Sequence, residues 1–166
     1  MPKNLNNTKI RVREILNTLG VGVLATTNAK GEIYASTIYL IADPNLVVYF
    51  LTKKKTTKHT NLQNNPRVAL TVYDTKTLTE VQIRGLARLT TDKQRLNYLL
   101  TKTLITNKSV SKSHILPIDM LNAGDYVAYS LQPSTIRLAD YGKSYVSKDK
   151  LFEILNFAPT DPKRPN

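Results

Sequence analysis

Apolar residues fall into short runs along this chain, and their spacing changes from run to run. Ile10, Ile15, Leu16 and Leu19 recur at helical spacing. With Thr8 as a cap and Gly20 as a stop, residues 8–19 predict an amphipathic helix. The runs that follow are β-branched and bounded by turn residues, which is strand patterning. Val21–Thr27 (VGVLATT) and Glu32–Ala42 (EIYASTIYLIA) flank an Asn-Ala-Lys-Gly turn and predict a hairpin. Asp43-Pro44-Asn45 turns the chain into a third strand, Leu46–Leu51 (LVVYFL). Arg67–Asp74 and Glu80–Thr90 predict a fourth and a fifth, with Gly85 a bulge or bend in the latter.

Farther along, Leu96, Leu99 and Leu100 share a face and predict a helix over Thr91–Ile105; Ser109–Ala123 is irregular, with a short helix around Ile118–Leu121. Asp125–Leu131 and Ser134–Ala139 predict two closing strands, and Leu151–Phe157 is one more apolar patch. About seven short strands, mostly hairpin-linked, point to a mainly β protein closed into a six- to seven-stranded antiparallel barrel, because closure removes exposed edges. The expected organisation is one barrel domain over residues 1–145, with the N-terminal helix, and a tail over 146–166 carrying a short helix.

Composition narrows the chemistry. The 166 residues contain no cysteine, which excludes disulfides, thiolate metal sites and thiol nucleophiles, and fits a reducing cytoplasm. No signal peptide and no membrane span is visible, so a cytoplasmic protein without membrane contact is expected. The net charge of +12 calls for an anionic partner. Nucleic acid is not expected to be the main one, since no helix-turn-helix, zinc-finger or aromatic-basic motif appears; a basic nucleic-acid-binding barrel is kept as an alternative.

Other familiar chemistries fail on context. Gly20–Ala25 (GVGVLA) matches a G-x-G-x-x-A fingerprint, and Asp43 stands where an acidic ribose ligand would, but here a helix precedes and a strand follows, the reverse of a dinucleotide site. His59 and His114 are the only histidines and neither has a partner at ligand spacing, so no metal site is expected.

The most informative stretch is Thr52–Thr60 (TKKKTTKHT), with four lysines, four threonines and a histidine in nine residues. A strand ends at Leu51, Thr56 or Thr57 caps a helix through about Lys58–Gln63, and Asn65-Pro66 ends it. Free amides at a helix N-terminus, beside lysine and hydroxyl donors, suit a phosphate.

Thr52, Thr56, Lys58, Leu62, Asn65 and Pro66, followed by Val68-Ala69-Leu70, resemble in type and spacing the pyridoxamine 5'-phosphate oxidase-like family of FMN-binding split barrels. VLATTNAKGEIYASTIYL is similar to that family's opening hairpin, and EVQIRGLARL to the strand that carries a flavin-contacting glutamine. The likeness spans about residues 10–92. It implies an antiparallel split barrel and a homodimer with FMN between the subunits. Lys58 would contact the phosphate, with Thr57 beside it, and Leu51 and Thr52 would lie along the ribityl chain or the ring edge. Ser36, Thr37 and Ile38 would line the ring, and Gln82 would bond toward it. Lys53, Lys54, Lys55 and His59 would form a rim, attract a phosphorylated partner, or be solvated. Thr57 stands where the vitamin-B6 oxidases carry arginine, their arginine-led flavin strand is replaced by Ala-Ser-Thr-Ile, and their late tryptophan is absent. The resemblance therefore implies an FMN-dependent oxidoreductase of unspecified substrate, served by a nicotinamide or small-molecule electron donor. FAD, a deazaflavin or haem are the alternative cofactors, and a flavin or haem binder without turnover is the alternative role. Tyr34, Tyr39, Tyr49 and Tyr73 are candidates for a subunit contact or for core.

Overall fold

The computed structural model describes residues 2–91, 126–142 and 151–158. The helix expected at Thr91–Ile105, the irregular Ser109–Ala123 segment and His114 lie outside them, apart from Thr91. Helix α1 (Pro2–Leu19) opens the chain. Gly20, in the left-handed region at φ 63°, ends it and turns directly into strand β1 (Val21–Thr27). This helix-to-strand order confirms that the glycine fingerprint is a helix stop.

Strands β2 (Ile33–Ala42), β3 (Val48–Lys53), β4 (Arg67–Asp74), β5 (Thr79–Leu89), β6 (Tyr126–Asp140) and β7 (Phe152–Asn156) follow, with helix α2 (Thr57–Asn64) between β3 and β4. The sheet runs β3-β2-β1-β4-β5-β6-β7, all pairings antiparallel, and β3 also pairs with β6. Among the described residues the result is a closed six-stranded barrel with one extra strand and two helices.

Two local expectations change. The two closing strands are one, β6, running through Gln132 and Pro133. Proline lacks a ladder donor and suggested a break. Here Pro133 lies opposite Gly85, where the β5–β6 register shifts between Arg84 and Gly85, so the missing N–H falls at a bulge. The tail forms no helix at its apolar patch; Phe152–Asn156 is β7. β3 covers one edge of β6 from Tyr126 to Leu131, and β7 takes the same edge from Thr135 to Ala139. An edge left open by β3 supplies the ladder partner that the sequence of the patch does not show.

Alternation places the core. In β1, Gly22, Leu24 and Thr26 are buried while Val21 and Val23 are exposed. Leu24, Leu70, Val81, Ile83, Leu131 and Ile136 fill the interior. Val12 and Leu16 of α1 join the same core, so the helix seals the barrel. Asn17 fixes it to β2 through a pair of bonds with the Ala42 backbone, its amide donating to the carbonyl at 3.0 Å and its oxygen accepting the N–H at 2.7 Å. Thr8 bonds Glu153 on β7, and Arg11 pairs with Asp140 on β6. Asp43 is a turn cap, accepting the amides of Asn45 at 2.8 Å and Val47 at 3.0 Å, and is not a ribose ligand.

Candidate functional site: the threonine-lysine corner

The corner forms where β3 ends and α2 begins. Thr56 is the N-cap, in extended backbone at φ −115°, ψ 148°. Its hydroxyl donates to the Lys53 carbonyl at 2.8 Å and accepts the His59 amide at 3.3 Å. With the Thr56 proton so engaged, Thr52 is left to donate in the 3.1 Å contact between the two hydroxyls. Both threonines are therefore consumed in building the corner.

What remains for a ligand is different. The amides of Thr57 and Lys58 begin the helix, where no intrahelical acceptor exists, and among the described residues no side-chain acceptor reaches them. Thr57 is exposed. Lys58 leans across to β2, its Nζ 3.4 Å from the Thr37 carbonyl. Burial holds the Lys58 ammonium below the ordinary lysine value. A half-buried cation with a single long hydrogen bond is a strong attractor for an anion.

Polar pins hold α2 in place from beneath. His59 is buried, and its Nδ1 lies 2.8 Å from the hydroxyl of Tyr129 on β6. Tyr129 stacks on Phe50 of β3 with ring centroids 5.5 Å apart, and burial pushes its phenol up to about 12. Asn61 donates to Thr26 at 3.1 Å with both residues buried, and Asn65 donates to Thr27 at 3.3 Å. Each buried polar group thus has a partner, which makes the position of the helix specific.

The expected site residues separate into two groups. Thr57, Lys58 and Thr37 come together, and Thr52 and Leu51 lie just behind them on β3. Thr52 is buried with its hydroxyl spent on Thr56, and the Ile38 side chain is in the core, so only the backbone of Ile38 is left to meet a ligand. Ser36 is half-buried next to them. Gln82 stands apart. Successive ladder partners Thr37, Val23, Thr71 and Gln82 form one row on the outer barrel face. Three strand spacings, roughly 14 Å, separate Gln82 from Thr37. His59 is no rim residue: it is an internal strut. Lys53, Lys54 and Lys55 are exposed, with Lys53 over the Tyr126 ring at 5.7 Å. Tyr34, Tyr39 and Tyr73 are exposed on the outside, and Tyr49 is buried. Tyr129 and Asn61 carry the corner without having been singled out, because their partners lie 70 and 35 positions away in sequence.

Comparison with known proteins decides the family. The sequence model described as pyridoxamine 5'-phosphate oxidase matches residues 8–138. The chain belongs to the pyridoxamine 5'-phosphate oxidase family. A search of curated protein sequences returns no match. Solved structures share the fold at low identity. One is a Clostridium acetobutylicum protein related to general stress protein 26, of the pyridoxinephosphate oxidase family. It has TM-score 0.65 and 14% identity, covering 91% of this chain and 95% of that one. Another is a haem-binding protein from Mycobacterium smegmatis, with TM-score 0.67 and 16% identity, covering 89% of this chain and 57% of that one. A third is an F420 reductase, with TM-score 0.58 and 24% identity, covering 75% of this chain and 94% of that one. This membership covers the corner, both strands beside it and the strand bearing Gln82. Among the described residues no group of three or more His, Asp or Glu could hold a metal, and no helix is long and apolar enough to cross a membrane.

Proposed function

We propose that the chain binds FMN and acts as an FMN-dependent oxidoreductase, with a nicotinamide or small organic molecule as electron donor. The observation that carries this is the placement of Lys58. Its ammonium lies 3.4 Å from the Thr37 carbonyl and belongs to the first turn of the helix that begins with the amides of Thr57 and Lys58, where the family's phosphate corner is expected. The fit is chemical: two N–H donors, one cation and a helix dipole would face a dianion, and among the described residues no carboxylate bonds to Lys58. Bound there, a flavin would supply the acceptance and release of a hydride or of single electrons.

The residues of this chain then have separate tasks. Thr57 and Lys58 grip the phosphate, while Thr52 and Thr56 hold the loop that presents them. Ser36 and Thr37 offer backbone and hydroxyl groups along β2 to the ring edge. Gln82 is too far along the outer face to join them from the same copy. A homodimer resolves this by bringing Gln82 of a second copy over the ring. The outer face supports such pairing, since Val23, Ile33 and Tyr39 are 47%, 78% and 49% exposed around the Thr37–Gln82 row. A haem reading is less well supported, since the Nδ1 of His59 is taken by Tyr129 and its ring is buried.

Titration of the flavin-free protein with FMN, followed by flavin fluorescence, tests the reading. The expected result is saturable binding that weakens in Lys58→Ala by about 1.5–3 kcal/mol, roughly 10- to 150-fold in Kd. Equal affinity in the two proteins would overturn it.

A further inference from the structure

Outside the phosphate corner, a second cation is held in place on the outer face, and it stands beside Gln82. The row of ladder partners that runs from Thr37 to Gln82 continues to Arg137 on β6 and Ile154 on β7. Arg137 is therefore one strand spacing, roughly 5 Å, beyond Gln82. Four spacings, roughly 19 Å, separate it from Thr37, so it cannot meet a ring that lies against Thr37 of its own copy.

The side chain is half-buried and built in. Its guanidinium carbon lies 3.8 Å from the centre of the Phe152 ring, a close cation–π stack. On the same face of β6 the next residue is Ala139, a small side chain whose ladder partners are Glu80 and Phe152. The Tyr141 hydroxyl lies beside the guanidinium and donates to Glu80 at 3.2 Å. Among the described residues no carboxylate forms an ion pair with Arg137, and its buried Nε has no hydrogen-bond partner. A cation fixed without a counter-charge costs stability where it stands. A negative charge that arrives with a ligand accounts for it.

We propose that Arg137 of a second copy faces the flavin ring and stabilises the negative charge that the ring gains on reduction. The inference rests on the FMN-binding homodimer put forward above: the pairing that brings Gln82 of the second copy over the ring brings Arg137 with it. A hydride carries two electrons and one proton, so its transfer adds one negative charge to a neutral ring and removes one from the donor. A guanidinium already fixed by Phe152 favours the charged product over the neutral ring, which raises the midpoint potential of the bound flavin.

Spectroelectrochemical titration of the FMN-loaded protein, read from the flavin absorbance, tests this in the unaltered chain, Arg137→Gln and Arg137→Lys. Arg137→Gln should weaken the binding of reduced FMN relative to oxidised FMN by about tenfold, which lowers the midpoint of a two-electron couple by about 30 mV. Arg137→Lys keeps the charge and should restore most of the midpoint. Affinity for oxidised FMN, read by fluorescence titration, should stay near that of the unaltered protein in both variants, because the oxidised ring is neutral. An unchanged midpoint in Arg137→Gln would overturn the proposal. So would an equal fall in the glutamine and lysine variants, which would leave Arg137 with packing on Phe152 alone. If the unaltered protein fails to bind FMN in the fluorescence titration, the cofactor reading falls and this inference with it; a protein that binds FMN with a midpoint indifferent to Arg137→Gln overturns only the inference.

Discussion

Lys58 concentrates the electrostatics of the corner in one side chain. Its neutral form is favoured by burial in the free protein, and a bound phosphate favours the charged form. The protonated lysine is therefore the one that binds. FMN affinity should be highest below the pKa of Lys58 in the free protein and fall as pH rises through it, beginning below the ordinary value of 10.5. On the acid side it should fall again as the phosphate loses its second charge near pH 6, roughly the second pKa of a phosphate monoester. A pH series of FMN titrations should show both limbs, and Lys58→Ala should flatten the alkaline one while keeping the acid one. Sequence chemistry pointed to this corner because cations, hydroxyls and a helix start fall within a few positions, and the family resemblance singled out Lys58 within it. It misread His59, since a histidine in a basic run looks like surface. Only the fold reveals Tyr129 seventy positions on, waiting for its ring nitrogen.

At the scale of elements, the corner depends on where α2 is docked, and that docking is polar. Thr26, Thr27 and Tyr129 hold Asn61, Asn65 and His59, so the helix has one seat on the barrel. Strand β5 shows how the barrel is bent. Gly85→Ala forces a methyl carbon into the Gln132 carbonyl, and backbone at that distance cannot rotate away. The expected loss of stability is about 3 kcal/mol, the upper part of the overpacking range, read as a drop in the urea midpoint. Strands β1 to β5 were legible because each carries its own alternation and its own turn. Strand β6 was read as two because Pro133 breaks the local pattern, and only the bulge opposite Gly85 explains why the strand continues. Strand β7 was not legible at all: five residues with two exposed apolar side chains, Phe152 and Ile154, take strand form only because β6 offers an edge.

For the whole molecule, closure of six strands leaves an outer face on which apolar side chains and the proposed cofactor row coincide. If a second copy covers this face and completes the flavin site, assembly and cofactor binding are coupled. Sedimentation should then give a dimer for the unaltered chain and a monomer for Val23→Glu, with FMN binding weakened in the same variant. A monomeric unaltered chain, or a monomeric variant that binds FMN fully, would separate the two. The corner itself is tested most directly by comparing FMN with riboflavin, which differ only in the phosphate. If Thr57 and Lys58 hold that group, FMN binds tighter than riboflavin by at least about tenfold, and Lys58→Ala removes most of the difference. Equal affinity for the two flavins in the unaltered protein would contradict the account.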